Sequence, residues 1–137
     1  MMLQPHPAPL LRIGEVADRS TVPVKTIRYY ESLGLIQAVK RTPGGYRLFD
    51  AEVLARLAFI KRAQPLGLSL QEIHEILAIH DQGELPCEQV RQQFQKKVHQ
   101  IEAQIEQLEL LKAQLQSLLR DQHPVHQGTI CPIIEAD

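Results

Sequence analysis

The sequence predicts a mainly α fold with a small β wing, built as a compact head followed by one long helix. Three features point to it. Apolar residues recur at helical spacing through most of residues 11–80. A Pro-Gly-Gly turn with cations on both sides interrupts them once, at residues 43–45. From about Glu88 to Arg120 the chain contains neither glycine nor proline, and Gln and Glu surround a regular apolar stripe.

In order along the chain, residues 1–10 read as a flexible N-terminal tail. They lack the basic start, apolar run and cleavage site of a secretory signal. Leu11 to Ser20 places Leu11, Ile13, Val16 and Ala17 at helix-compatible spacing, so a short amphipathic helix is expected there. A turn at Thr21 and Val22 leads to Pro23, whose fixed φ suits the start of a second helix that stops near Gly34. Two short helices meeting at a tight turn form the helix-turn-helix pattern, in which the second helix presents its exposed side chains to the DNA major groove. Lys25, Arg28 and Tyr29 are the residues placed to reach.

Leu35 to Phe49 then reads as a small β-hairpin, the wing, with Arg41, Tyr46 and Arg47 offering two charges and a hydroxyl to the phosphate backbone. Asp50 is a candidate N-cap for a helix over 51–63, which Pro65 and Gly67 break. Ser69 caps a further helix, residues 70–80, with Leu70, Ile73, Ile76, Leu77 and Ile79 on its apolar face. The winged helix-turn-helix DNA-binding domain thus spans 11–80. In the long helix, assigned to 87–120, Phe94, Val98, Ile101, Ile105, Leu108, Leu115 and Leu119 follow at spacings of three and four, broken only at Lys112. This is a coiled-coil seam, and a helix of roughly 50 Å outreaches the small head beside it, so self-association into a homodimer is expected.

The charge distribution agrees with a DNA reader. The net charge is −1, yet residues 10–62 hold ten Lys and Arg against five Asp and Glu, and the remainder holds five against eleven. Phosphate neutralisation supplies much of the affinity for DNA, so the basic first half is the part that meets a polyanion. No run approaches the roughly 18 apolar residues needed to span a bilayer, so a cytoplasmic protein with no membrane partner is expected. No constellation suggests catalysis. The two cysteines, Cys87 and Cys131, are read as thiol ligands, redox groups or buried side chains rather than a structural disulfide.

Taken together, IGEVA, TIRYYESLGL, GGYRLF and FIKRAQPLGLSLQEI, followed by a long helix, resemble the MerR family of bacterial regulators over nearly the whole chain after the tail. Gln64 and Pro65 depart from the family's pattern, which more often continues a helix there. The resemblance implies a homodimer joined by a long antiparallel coiled coil, bound to promoter double-stranded DNA that it kinks and untwists for RNA polymerase already present. Lys25, Arg28 and Tyr29 match the family's recognition helix, and Arg41, Tyr46 and Arg47 its wing.

Residues 121–137 are too few for a separate drug-binding domain, and a small effector is indicated. CPIIE resembles the end of the metal-binding loop in the copper- and zinc-type branch of the family. His123, His126 and Cys131 fall within nine positions, and imidazole and thiolate suit late first-row metals and their heavier analogues. Cys87 stands at the other end of the long helix, roughly 50 Å away by helix rise, so one chain does not close the site. In the antiparallel dimer that the resemblance implies, Cys87 of one protomer meets Cys131, His123 and His126 of its partner. A helix N-terminus favours the thiolate that a metal requires.

Two thiolates and two imidazoles form a familiar tetrahedral zinc set, so zinc is the first choice of ion, with cadmium, cobalt and mercury as alternatives. Copper(I) sensors of the family typically carry serine in place of Cys87 and use two loop cysteines, which this loop lacks. His6, His74, His80 and His99 are read as surface or packing residues. Two rival functions remain open at this level. One is a thiol-based redox switch pairing Cys87 with the partner's Cys131. The other is an architectural coiled-coil protein without an effector. An iron-sulfur sensor would need more cysteines.

Overall fold

The computed structural model describes residues 9–136. Most of the tail expected over 1–10, and His6 with it, lies outside the described residues. The chain divides into two compact units, one through Gln93 and one from Phe94 onward.

The first unit opens on a two-residue strand, β1 (Leu11–Arg12), that runs directly into helix α1 (Ile13–Ser20). The single helix expected from Leu11 is therefore shorter by two residues. Leu11 pairs with Phe49 and Arg12 with Leu48 in an antiparallel ladder, and this long-range pairing overrides the local helical pattern. The Glu15 carboxylate still accepts the Arg12 backbone N–H at 3.4 Å, closing the start of α1.

Thr21 ends α1 at φ 57, a left-handed conformation unusual for a β-branched residue. Lys61 holds this turn by donating from Nζ to the Ser20 carbonyl at 3.3 Å and to Thr21 Oγ1. Pro23 is extended and caps α2 (Val24–Ser32) instead of forming its first residue. The Pro23 carbonyl accepts Ile27 N–H at 3.0 Å, and Gly34 at φ 79 turns the chain out of the helix.

The wing is β2 (Lys40–Arg41) against β3 (Arg47–Phe49), so the small sheet has three strands in the order β1, β3, β2. Thr42 and Tyr46 close its tip, with Thr42 N–H donating to the Tyr46 carbonyl at 2.8 Å and Tyr46 N–H donating to Thr42 Oγ1 at 3.1 Å. Pro43, Gly44 and Gly45 make the turn, and Gly45 at φ 86 takes the left-handed position that a three-residue hairpin loop requires. Leu35 and Ile36, expected to begin the hairpin, are instead buried in the core.

Helix α3 (Glu52–Ala63) begins one residue later than expected, with Asp50 Oδ1 accepting the Glu52 N–H at 3.1 Å. A short 3-10 turn (Gln64–Leu66) and Gly67 at φ 88 break it where Pro65 predicted. Tyr30 O–H donates to Gln64 Oε1 at 3.3 Å and ties α2 to this turn. Ser69 caps α4 (Leu70–Asp81), exchanging hydrogen bonds with Glu72 at 3.0 and 3.1 Å. Val16, Ile27, Leu35, Ile36, Phe49, Leu57, Ile60, Ile73 and Ile76 are fully buried and form one core, to which α2 contributes Ile27 and the wing Phe49. Arg56 fastens its edge, donating from Nε to the Leu35 carbonyl at 2.9 Å and from its terminal nitrogens to Asp81.

Helix α5 (Cys87–Arg120) crosses from the first unit into the second. Val90 packs against the core of the head, while the seam residues beyond Gln93 are left without cover in the single chain.

Candidate nucleic-acid interface and metal centre

Rotation along α2 separates its anchors from its readers. Ile27 and Tyr30 point inward, whereas Lys25, Arg28 and Tyr29 stand exposed. On the wing, Arg41 and Tyr46 are exposed and Arg47 is half-buried. Arg28, Tyr46 and Arg47 line a single groove of about 450 Å³ that also includes Arg12, Gly14 and Gly45. The structure therefore brings three of the six predicted DNA-contacting residues to one place.

Two residues there escaped the sequence reading. The Arg12 guanidinium lies 5.9 Å from the centroid of the Tyr46 ring, adding a cation to the groove from outside both α2 and the wing. Glu31 pairs with Arg47 Nε, leaving the terminal guanidinium nitrogens of Arg47 outside that contact. The YYE run of α2 and the GYR run of the wing are the only local signs of this pairing, because the residues meet through tertiary structure.

Cys87 is the first residue of α5 and is exposed; the Pro86 carbonyl before it accepts Val90 N–H at 3.0 Å. In the second unit, His123 and His126 line a cavity of about 400 Å³ together with Asp121 and Glu135. His123 Nε2 lies 2.7 Å from the Leu118 carbonyl oxygen. A carbonyl only accepts, so Nε2 donates in this contact and Nδ1 is the ring nitrogen outside it. His126 is exposed, and its backbone is fixed by a turn in which it exchanges hydrogen bonds with Thr129 at 3.1 Å each, with Gly128 at φ 89. Cys131 is half-exposed, is not paired in a disulfide and does not line the cavity of the two histidines.

Among the described residues, Glu52, His80 and Asp81 are the group whose ligand atoms already lie within 4.8 Å of one another. These three are occupied with each other and with Arg56, since His80 Nε2 is 3.2 Å from Glu52 and Arg56 binds Asp81. The four predicted ligands are thus not gathered in one chain. Their chemistry nonetheless fits a late-transition ion, for both cysteines are free of disulfides and His123 has the backbone-oriented ring that metal-ligating histidines commonly show.

Residues 11–78 match the family model described as MerR HTH family regulatory protein, and residues 54–118 match the one described as MerR, DNA binding. The chain belongs to the MerR family. Among curated relatives of this MerR chain, the mercuric resistance operon regulatory protein of Bacillus cereus is 41% identical over 125 residues, covering 90% of this chain and 94% of that protein. The HTH-type transcriptional regulator ZntR of Escherichia coli is 37% identical over 130 residues, covering 93% and 92%. Among solved structures, the regulator PbrR691 from Ralstonia metallidurans in complex with lead(II) superposes with a TM-score of 0.74 at 32% identity, covering 90% and 96%. These relatives are transcription regulators, and this protein shares its mainly helical fold with the lead(II)-bound regulator. Among its described residues no helix is long and apolar enough to cross a membrane.

Proposed function

We propose that this MerR-family regulator is a cytoplasmic, metal-responsive homodimer that binds an ion between its protomers and thereby activates metal efflux or detoxification genes. The observation that carries the reading is His123, whose Nε2 is committed to the Leu118 carbonyl, so that Nδ1 is the nitrogen left to ligate, from a segment that also holds His126 and Cys131. Cys87 of the partner subunit would complete a set of two sulfurs and two nitrogens. Such a set suits tetrahedral zinc, with cadmium, cobalt and mercury as competing ions. The mercuric resistance relative and the neighbour in complex with lead(II) support a metal effector without fixing the ion.

On the DNA side, Lys25, Arg28 and Tyr29 enter the major groove while Arg41, Tyr46 and Arg47 of the wing grip phosphates. Bending a promoter costs about 1 to 6 kcal/mol by elastic estimates, and cationic contacts from both protomers offset it. The effector then biases the dimer toward the form that kinks and untwists the spacer, realigning the promoter for RNA polymerase.

The test is titration of the reduced, metal-free protein with zinc, cadmium, cobalt and mercury, comparing wild type with Cys87→Ser, Cys131→Ser and His123→Ala. Stoichiometric binding that each substitution weakens, with the visible bands of tetrahedral cobalt, supports the site. Tight binding by none of the ions removes the metal reading and leaves the DNA reader standing.

A further inference from the structure

The end of the chain contains a second set of contacts around Cys131. Glu135 Oε2 accepts the backbone N–H of Ile130 at 2.9 Å and that of Cys131 at 2.9 Å. In the other direction, the Glu135 backbone N–H donates to the Cys131 carbonyl at 3.1 Å. Both main-chain polar groups of Cys131 are therefore held by one residue four positions on. A carboxylate is an acceptor with two oxygens, and hydrogen bonds to an ionised acceptor are shorter and stronger than neutral ones. The same residue also lines the cavity of His123 and His126. Ile130, in contrast, is 93% exposed, so apolar packing of its side chain does not hold this stretch. Glu135 thus joins the backbone of Cys131 to the wall of the cavity that the two histidines line.

We infer that Glu135 is a positioning residue for the metal site, holding the backbone of Cys131 in the conformation from which its thiolate binds the effector ion. This rests on the reading of Cys131 as a ligand. Groups that orient metal ligands commonly change affinity by about 10- to 100-fold when removed, and a surface clamp on one of four ligands belongs at the lower end of that range.

The test uses the full-length, reduced dimer and two measurements. Amide hydrogen exchange of the metal-free protein reports the clamp itself. In wild type the Ile130 and Cys131 amides exchange slowly; in Glu135→Ala they exchange as an open loop does; in Glu135→Gln, which keeps a neutral acceptor oxygen, most of the protection returns. Zinc and cobalt titrations then report its consequence, with affinity about 10-fold lower in Glu135→Ala and largely restored in Glu135→Gln. Lost protection with unchanged affinity overturns the inference, as does exchange that the alanine variant leaves unaltered. Failure of wild type itself to bind either ion overturns the metal reading first and this inference with it, and that outcome is visible before any variant is measured.

Discussion

His123 and Arg47 each divide their polar atoms between a fixed partner and a face left available for a ligand. His123 gives Nε2 to the Leu118 carbonyl, which leaves Nδ1 for the proposed metal; Arg47 gives Nε to Glu31, which leaves its terminal nitrogens outside that contact. Sequence reading identified both residues by type and motif but found neither partner. Arg47 and Glu31 are sixteen positions apart and meet only when the wing folds back on α2, and the His123 bond uses a main-chain carbonyl that no residue type encodes. Arg12 was missed for a similar reason, because its cation enters the groove through β1, a strand with no local signature. If Arg12 and Arg28 each contact a phosphate, Arg12→Ala and Arg28→Ala will each lower DNA affinity and flatten the slope of log affinity against log salt by about one. Fluorescence anisotropy across a salt series measures this, and an unchanged slope removes the residue from the interface. Tyr30→Phe deletes the hydroxyl that reaches Gln64 and will cost about 1 kcal/mol in urea unfolding.

Among the elements, the capped helices and the hairpin of the wing were legible, whereas β1 was not. Ser69 with Glu72 three residues on marks the start of α4 in sequence, and the same pair closes it in the structure. A two-residue strand such as β1 is shorter than any periodicity, and Leu11 and Ile13 fit a helical stripe equally well until Phe49 arrives as a pairing partner. Ser69→Ala will lower stability by about 1 kcal/mol through the lost cap. Gly45→Ala forces a Cβ into a backbone at φ 86 and will cost about 1 to 2 kcal/mol, chiefly in the wing. Its DNA affinity will fall with the wing's geometry, and the thermal midpoint will drop by several degrees because Phe49 of the wing shares the core of the helices. Unchanged DNA affinity would mean that the tip of the wing does not touch DNA.

At the level of the whole molecule, the seam of α5 was legible because a long helix without glycine or proline needs no tertiary information. Its residues from Phe94 to Leu119 are between 36 and 77% exposed in the single chain, an apolar stripe that a second chain would bury. If this stripe is the seam of the proposed homodimer, Ile105→Glu will sediment as a monomer where wild type sediments as a dimer, and will lose DNA binding. The sequence offers the ligands of the proposed metal site as residue types only, since Cys87 falls in one unit of the chain and His123, His126 and Cys131 in the other. Completion of that site across the dimer is the central claim, and mixing two defective protomers tests it most directly. A heterodimer of Cys87→Ser with Cys131→Ser contains one intact intersubunit site and one doubly broken one, whereas either variant homodimer has both sites damaged. The account predicts that tagged, purified heterodimer binds one zinc equivalent with wild-type affinity while both homodimers bind weakly. Heterodimer that binds no better than the homodimers would place the ligands within one chain or remove them from the site, and would contradict the account.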